Sequence, residues 1–333
     1  MQDRYGHRIS YLRVSITDRC NERCGYCMPQ ELQEWLPRHE ILTYEETLRV
    51  IRIAAELGVS KLRITGGEPL TRRGIIDFVR QIPDIPGITS IGLSTNGTLL
   101  AREITPVRTM AQTLRDAGVQ SVNVSLDTLD AAVYSQITGR DFHPQVLSGI
   151  DAAIVAGFDQ IKVNAVLMRG RNEDQLLPLI EFSGARNLLL RFIELMPVSS
   201  TEVLNEKNFM SVTEAKRLIE SAYGSLIPET TFRTNGPATY YQIPGRAQRI
   251  GFIGAITNMH FCENCNKLRL TCDGKLRPCL GSYLEFDIMS RLRAGASDEQ
   301  LKQFFLNVVE RKPQEHDFRN NYQPNRKMIA IGG

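Results

Sequence analysis

The sequence predicts an α/β fold: a parallel sheet of six strands, too few for a complete eight-stranded barrel, with a smaller α+β region after it. Three observations predict this. Apolar, strand-like runs alternate with helical patterns through the first two-thirds of the chain. Glycines at 58, 118 and 157 punctuate the joins between them. The chain has 333 residues, long for one ordinary domain, and Asn235-Gly236-Pro237 marks a break, so a domain at 1–235 and a second at 236–333 are expected.

In chain order the strand-like runs are Tyr11–Thr17, Lys61–Thr65, Ser90–Thr95, Ser121–Asp127, Ile161–Met168 and Leu188–Leu195. Helical patterns fill the gaps at Tyr44–Leu57, Ile75–Ile82, Val107–Ala117, Pro144–Ala156 and Glu173–Phe182. Beyond the break come a shorter β-rich stretch and helices near Tyr283–Arg293 and Asp298–Glu310. No internal repeat or low-complexity tract is present.

Apolar residues make up 42% of the chain, enough for a sizeable core. A net charge of +3 is too small to mark a nucleic-acid surface, so no nucleic acid is expected as a partner. The N-terminus is polar, without an apolar signal stretch. No run approaches the ~20 apolar residues that span a bilayer, so no membrane partner is expected. A cytoplasmic protein follows, and seven cysteines suit a reducing compartment.

Cys20, Cys24 and Cys27 give the spacing C-x3-C-x2-C in a short loop after the first strand. An odd number of thiols this close cannot all pair as disulfides. Structural zinc prefers four ligands, usually with C-x2-C pairs. Three thiolates suit one face of an iron–sulfur cube and leave one iron open. Cys262, Cys265 and Cys279 form a second set, C-x2-C-x13-C. Here Cys272 offers a fourth thiol, so a closed zinc site stays open as an alternative.

With Tyr26 before its last cysteine, the first set resembles that of the radical S-adenosylmethionine (SAM) enzymes. Gly66-Gly67-Glu68-Pro69 after the second strand matches a further feature of that superfamily, although alone it reads equally as a strand-to-helix turn. The second cysteine set and the terminal Gly332-Gly333 narrow the resemblance, nearly end to end, to the GTP 3′,8-cyclase family of molybdenum cofactor biosynthesis. The resemblance implies an open, partial TIM-type barrel, two [4Fe-4S] clusters, one on each cysteine trio, and SAM as cofactor. It places Tyr26, Gly66, Gly67, Glu68, Thr95, Ser125 and Met196 at SAM. Cys272 has no counterpart among the family's ligands.

Charge on the strands carries a signal of its own. Alternation along Lys61–Thr65 turns Leu62 and Ile64 to the helices and Lys61, Arg63 and Thr65 to the interior. Arg13, Lys162 and Arg191 lie on other strands, with few inward acids in view. Buried cations cost several kcal/mol unless something negative meets them, so a polyanionic ligand is expected. No Gly-x4-Gly-Lys-Ser/Thr loop is present, so side chains rather than a glycine loop must hold phosphates. The resemblance implies GTP as substrate, held by Arg13, Lys61, Arg63, Lys162, Arg191, Lys267 and Arg269. Lys267 stands where the family usually has arginine, keeping the charge but not the planar fork.

The implied reaction starts with a flavodoxin-type electron donor. SAM cleavage gives a 5′-deoxyadenosyl radical, which takes hydrogen from the ribose 3′ carbon of GTP. Ring closure to the guanine 8 carbon follows, and the product passes to cyclic pyranopterin monophosphate synthase. The resemblance makes Arg13, Gly332 and Gly333 catalytic, with the tail inside the active site; a terminal Gly-Gly by itself reads as a frayed end. A homodimer is left open. His260, Arg72 and Arg73 read as structural or solvated, and Trp35 as a cover for the first cysteine loop. A peptide-modifying radical SAM enzyme and a non-catalytic GTP-binding iron–sulfur protein are the competing readings.

Overall fold

The computed structural model describes residues 1–28, 34–198, 204–205, 207–320 and 322–332. The strands are β1 (Tyr11–Ser15), β2 (Lys61–Thr65), β3 (Ser90–Thr95), the hairpin β4 (Glu103–Thr105) and β5 (Arg108–Thr109), β6 (Ser121–Ser125), β7 (Gln160–Leu167) and β8 (Leu189–Glu194). Then come β9 (Ile227–Pro228), β10 (Thr239–Gln242), β11 (Arg249–Ile253), β12 (Lys267–Leu270), β13 (Lys275–Arg277) and β14 (Phe286–Asp287). Apart from the hairpin, they form one sheet in the order β14-β13-β12-β1-β2-β3-β6-β7-β8-β11-β10-β9.

The six expected strands are present and all parallel, and the barrel is open. The parallel run is longer than expected, because β12 pairs parallel with β1 and β11 parallel with β8. Each is bounded in turn by an antiparallel neighbour, β13 or β10. Strands from beyond residue 236 therefore extend both edges of the barrel sheet. Their brevity and their charges (Arg249 in β11, Lys267 and Arg269 in β12) hid them from a count based on apolar runs.

Helices α1 (Tyr44–Glu56), α2 (Ile75–Arg80), α3 (Met110–Asp116), α4 (Ala131–Thr138), α5 (His143–Ala156), α6 (Leu176–Ala185) and α7 (Val212–Tyr223) follow the strands. The C-terminal part adds α8 (Met289–Arg293), α9 (Asp298–Glu310) and α10 (Met328–Ile331). Thr43 and Glu46 close a capping box at the start of α1, and Thr109 with Gln112 does so for α3. That box explains a misplaced boundary: residues 107–109 belong to the hairpin, and helix begins only at Met110. The stretch from Tyr283 likewise becomes helical only at Met289, since Phe286 and Asp287 pair with β13. Outward-facing strand residues such as Leu62, Ile64, Leu93 and Val122 meet the helices in the main core. The opposite side chains face the barrel interior. Among the described residues no helix is long and apolar enough to cross a membrane.

Candidate active site

The barrel interior is a cavity of about 890 Å³. That is near the top of the range of about 300–1,000 Å³ for single small-ligand sites, so there is room for a large ligand or a second one. Of the residues singled out from sequence, Arg13, Tyr26, Arg63, Gly66, Gly67, Thr95, Ser125, Lys162, Arg191, Met196, Lys267 and Arg269 line it, together with Cys20, Cys24, Cys27, Cys262, Cys265 and Cys279. Lys61, Glu68 and Gly332 are not part of this lining. Gly333 lies outside the described residues.

The first cysteine loop is anchored on three sides. Arg23 N and Gly25 N donate to the carbonyls of Thr138 and Ile137 at the end of α4. The Tyr26 hydroxyl donates to Asp127 at 2.8 Å, and the same carboxylate accepts from Val166 N. Tyr134 donates to buried Glu22. The fourth support is the Gly66-Gly67 turn, where Gly67 N and Glu68 N donate to the carbonyls of Thr17 and Arg19. A Cβ on Gly66 would fall 2.6 Å from Thr17 O, and one on Gly67 2.4 Å from Arg19 O. Both glycines therefore serve first to let the chain's own cysteine loop approach. Glu68 is fully buried, and its carboxylate accepts from Thr95 Oγ1, Asn96 N and Leu70 N. It braces the turn against the end of β3, and burial lifts its pKa to about 7.

Burial also raises the thiols of Cys20, to about 12, and of Cys24 and Cys27. Such thiols ionise only against metal charge, so taking up iron releases protons. Three half-buried cysteines lining one cavity are a donor set that fits a cubane cluster with one free iron.

Cations occupy the opposite part of the interior. Arg269, Arg13 and Arg63 stand side by side on β12, β1 and β2. Lys162 sits beside Asn123, and Arg191 beside Asn164. Arg63, Lys162 and Arg191 are each no more than 4% exposed. Arg63 is held by neutral groups, the Tyr11 hydroxyl and the Leu93 carbonyl, and Arg191 by the Asn164 side chain. Burial, then Arg191 and Arg63, bring the Lys162 ammonium down to about 6. Burial lowers Arg13 to about 10 and Arg269 to about 9. Burial alone would raise the Tyr11 phenol, but Arg63 and Arg13 outweigh it and bring it to about 8. The wall is poised for a ligand carrying several negative charges.

Cys262 and Cys265 lie in the loop between β11 and β12, and Cys279 follows β13. All three border the cavity. Cys272 is fully buried elsewhere, bonded to Ser15 and outside the lining. Among the described residues no three Cys, His, Asp or Glu side chains gather as a site for a single metal ion. The zinc alternative loses its fourth ligand, and the remaining trio again suits a cluster with an open iron. The C-terminal segment enters the barrel beside it. Arg269 Nη1 donates to Gly332 O at 2.5 Å, and a Cβ on Gly332 would fall 2.5 Å from Thr65 Cγ2.

Comparison with known proteins agrees with this geometry. The Radical SAM superfamily model matches residues 14–183, and the Molybdenum Cofactor Synthesis C model matches residues 188–318. The GTP 3′,8-cyclase of Thermodesulfovibrio yellowstonii is 44% identical over 100% of both chains, and that of Pelotomaculum thermopropionicum is 43% identical over 100% of both. The chain belongs to the GTP 3′,8-cyclase family. Streptococcus suis SuiB bound to S-adenosylmethionine, at 15% identity, shares the fold with a TM-score of 0.62 over 98% of this chain and 78% of that one.

Asn164 of this cyclase-family site gives no charge or motif signal and escaped sequence reading, whereas strand alternation sets Asn123, Ser125 and Asp127 on one face opposite Val122, Val124 and Leu126. Gly92 did carry a signal: a glycine inside a strand marks close approach, and a Cβ there would fall 2.4 Å from Arg63 Cζ. Arg72 was read as solvated, yet it donates to the carbonyls of Ile16 and Leu42 and stacks on Tyr44, tying the end of β1 to the start of α1. Arg73 is exposed, and His260 is exposed and paired with Glu263. Trp35 lies under the Arg23 guanidinium, beside the first cysteine loop but outside the cavity lining.

Proposed function

We propose that this chain converts GTP to (8S)-3′,8-cyclo-7,8-dihydroguanosine 5′-triphosphate, the first step of molybdenum cofactor biosynthesis. The observation that carries the reading is one cavity bordered by two cysteine trios and a wall of buried cations. Cys20, Cys24 and Cys27 would hold a [4Fe-4S] cluster, which would supply the electron for reductive cleavage of SAM and so the radical chemistry aimed at the ribose 3′ hydrogen.

The chain's own residues do the rest. Tyr26, Gly66, Gly67, Thr95, Ser125 and Met196 border the SAM half, and Glu68 stiffens its turn. Arg13, Arg63, Lys162, Arg191, Lys267 and Arg269 hold the triphosphate and ribose, with Lys61, outside that lining, bonded to Asn235 at 2.7 Å. Fixing both ligands makes the hydrogen transfer effectively unimolecular. The closed interior keeps stray water and hydrogen donors away. Cys262, Cys265 and Cys279 would hold a second [4Fe-4S] cluster, whose open iron would offer the guanine a ligand position. Arg13 and the Gly332-Gly333 tail complete the catalytic pocket.

Residues 1–235 act as the radical-generating domain and 236–333 as the substrate-capping one. The enzyme works in the cytoplasm, alone or as a homodimer, takes electrons from a flavodoxin-type donor and passes product to cyclic pyranopterin monophosphate synthase. Anaerobic incubation of reduced protein with SAM and GTP, followed by chromatography, tests the reading. Deoxyadenosine with a cyclised guanosine triphosphate supports it. Deoxyadenosine without GTP consumption favours peptide modification, and neither product favours a GTP-binding protein that does not turn over.

A further inference from the structure

Lys312 follows α9 and runs inward beneath the second cysteine trio, where it is 2% exposed. Its Nζ donates to the carbonyls of Lys267, at 3.2 Å, and Pro278. It also borders the cavity that the Cys265 sulfur lines. The two carbonyls take up two of the three N–H bonds of an ammonium. Lys267 lies two residues after Cys265, and Pro278 directly precedes Cys279. One side chain thus ties together the two arms that carry the trio.

The partners also pose a charge problem. Both are neutral carbonyls, and no carboxylate is among them. A buried ammonium without an anion costs several kcal/mol. The Cys262, Cys265 and Cys279 thiolates border the same cavity, on the arms that this ammonium ties, and supply the negative charge it lacks.

We infer that Lys312 is a positioning residue for the second cluster, the fixed counter-charge of the Cys262, Cys265 and Cys279 thiolates, and that it favours the reduced state of the group they hold. Reduction adds one negative charge next to a buried ammonium, and that attraction is strong where water is excluded. The inference rests on the reading of this trio as a cluster site. Its role is distinct from phosphate binding, because its carbonyl partners lie two residues after Cys265 and directly before Cys279 and hold it on the cysteine arms.

The test uses full-length enzyme carrying Lys312→Met or Lys312→Arg, reconstituted anaerobically. Iron and sulfide are counted, and each cluster is titrated potentiometrically with electron paramagnetic resonance, SAM marking the N-terminal signal. Wild-type protein with iron for one cluster alone overturns the underlying reading. Given two clusters in wild type, Lys312→Met is expected to shift the second midpoint to more negative potential, leave the first in place and weaken iron retention at the second trio. Lys312→Arg is expected to restore both toward wild type. An unchanged second midpoint in Lys312→Met, or equal iron loss in both variants, overturns the counter-charge role while leaving the cluster reading intact.

Discussion

Arg269 on β12 donates to the carbonyl oxygen of Gly332 at 2.5 Å, which places Gly332 against the barrel's cationic wall. Gly332 has φ of +82°, and an added Cβ would meet Thr65 at 2.5 Å and Ser15 at 3.2 Å. Gly332→Ala, or deletion of Gly332 and Gly333, is therefore expected to leave SAM cleavage in place while abolishing cyclisation. Chromatography of deoxyadenosine and cyclised product in one reaction separates the two activities. Normal product yield from either variant refutes a role for the tail.

Lys162 gives the site a pH dependence with a definite sign. Its ammonium titrates at about 6 without a ligand, so above that pH the free site holds it largely neutral. A polyphosphate favours the charged form, so binding takes up a proton and affinity falls as pH rises from 6 toward 8. One coupled proton limits the slope to about tenfold per pH unit. Calorimetry of GTP binding across this range, in buffers of different ionisation enthalpy, reads the proton uptake. Lys162→Met is expected to flatten the profile.

Gly67→Ala pushes a methyl group into the Arg19 carbonyl from 2.4 Å, backbone against backbone. Neither side can yield as a flexible side chain would, and the strain costs about 1–3 kcal/mol. A lowered melting temperature and loss of iron from the first trio are expected, with the second trio's iron retained. Iron analysis in a Cys262→Ala background isolates the effect.

Cys272→Ala is expected to keep the full iron content, because that thiol packs against Ser15 away from the cavity. The cost is a small buried void, about 1 kcal/mol of stability. Cys279→Ala is expected to lose the second cluster's iron. Metal analysis of both variants, with stoichiometric zinc as the contrary result, decides between cluster and zinc.

Much of this site was legible before the fold, for chemical reasons. Cysteine trios announce themselves by spacing, and Arg63 stands out because charge on an alternating strand must face something. The strand β2 and the helix α9 were placed residue for residue by period and length. What escaped depended on distant pairing. Strands β11 and β12 become barrel strands only through β8 and β1, and neither has an apolar run long enough to show it. Helix α4 carries no sharp apolar stripe, yet its last carbonyls hold the first cysteine loop. Lys312 looks like any lysine after a helix until burial removes its water.

The most direct test of the central claim, that this barrel brings the ribose of GTP against a radical generated from SAM, is isotope transfer. GTP deuterated at the ribose 3′ carbon is incubated anaerobically with the reduced enzyme and SAM, and the deoxyadenosine is analysed by mass spectrometry. The account predicts one deuterium in deoxyadenosine and a cyclised product lacking it at that carbon. Deoxyadenosine free of deuterium, formed while GTP is consumed, would contradict it.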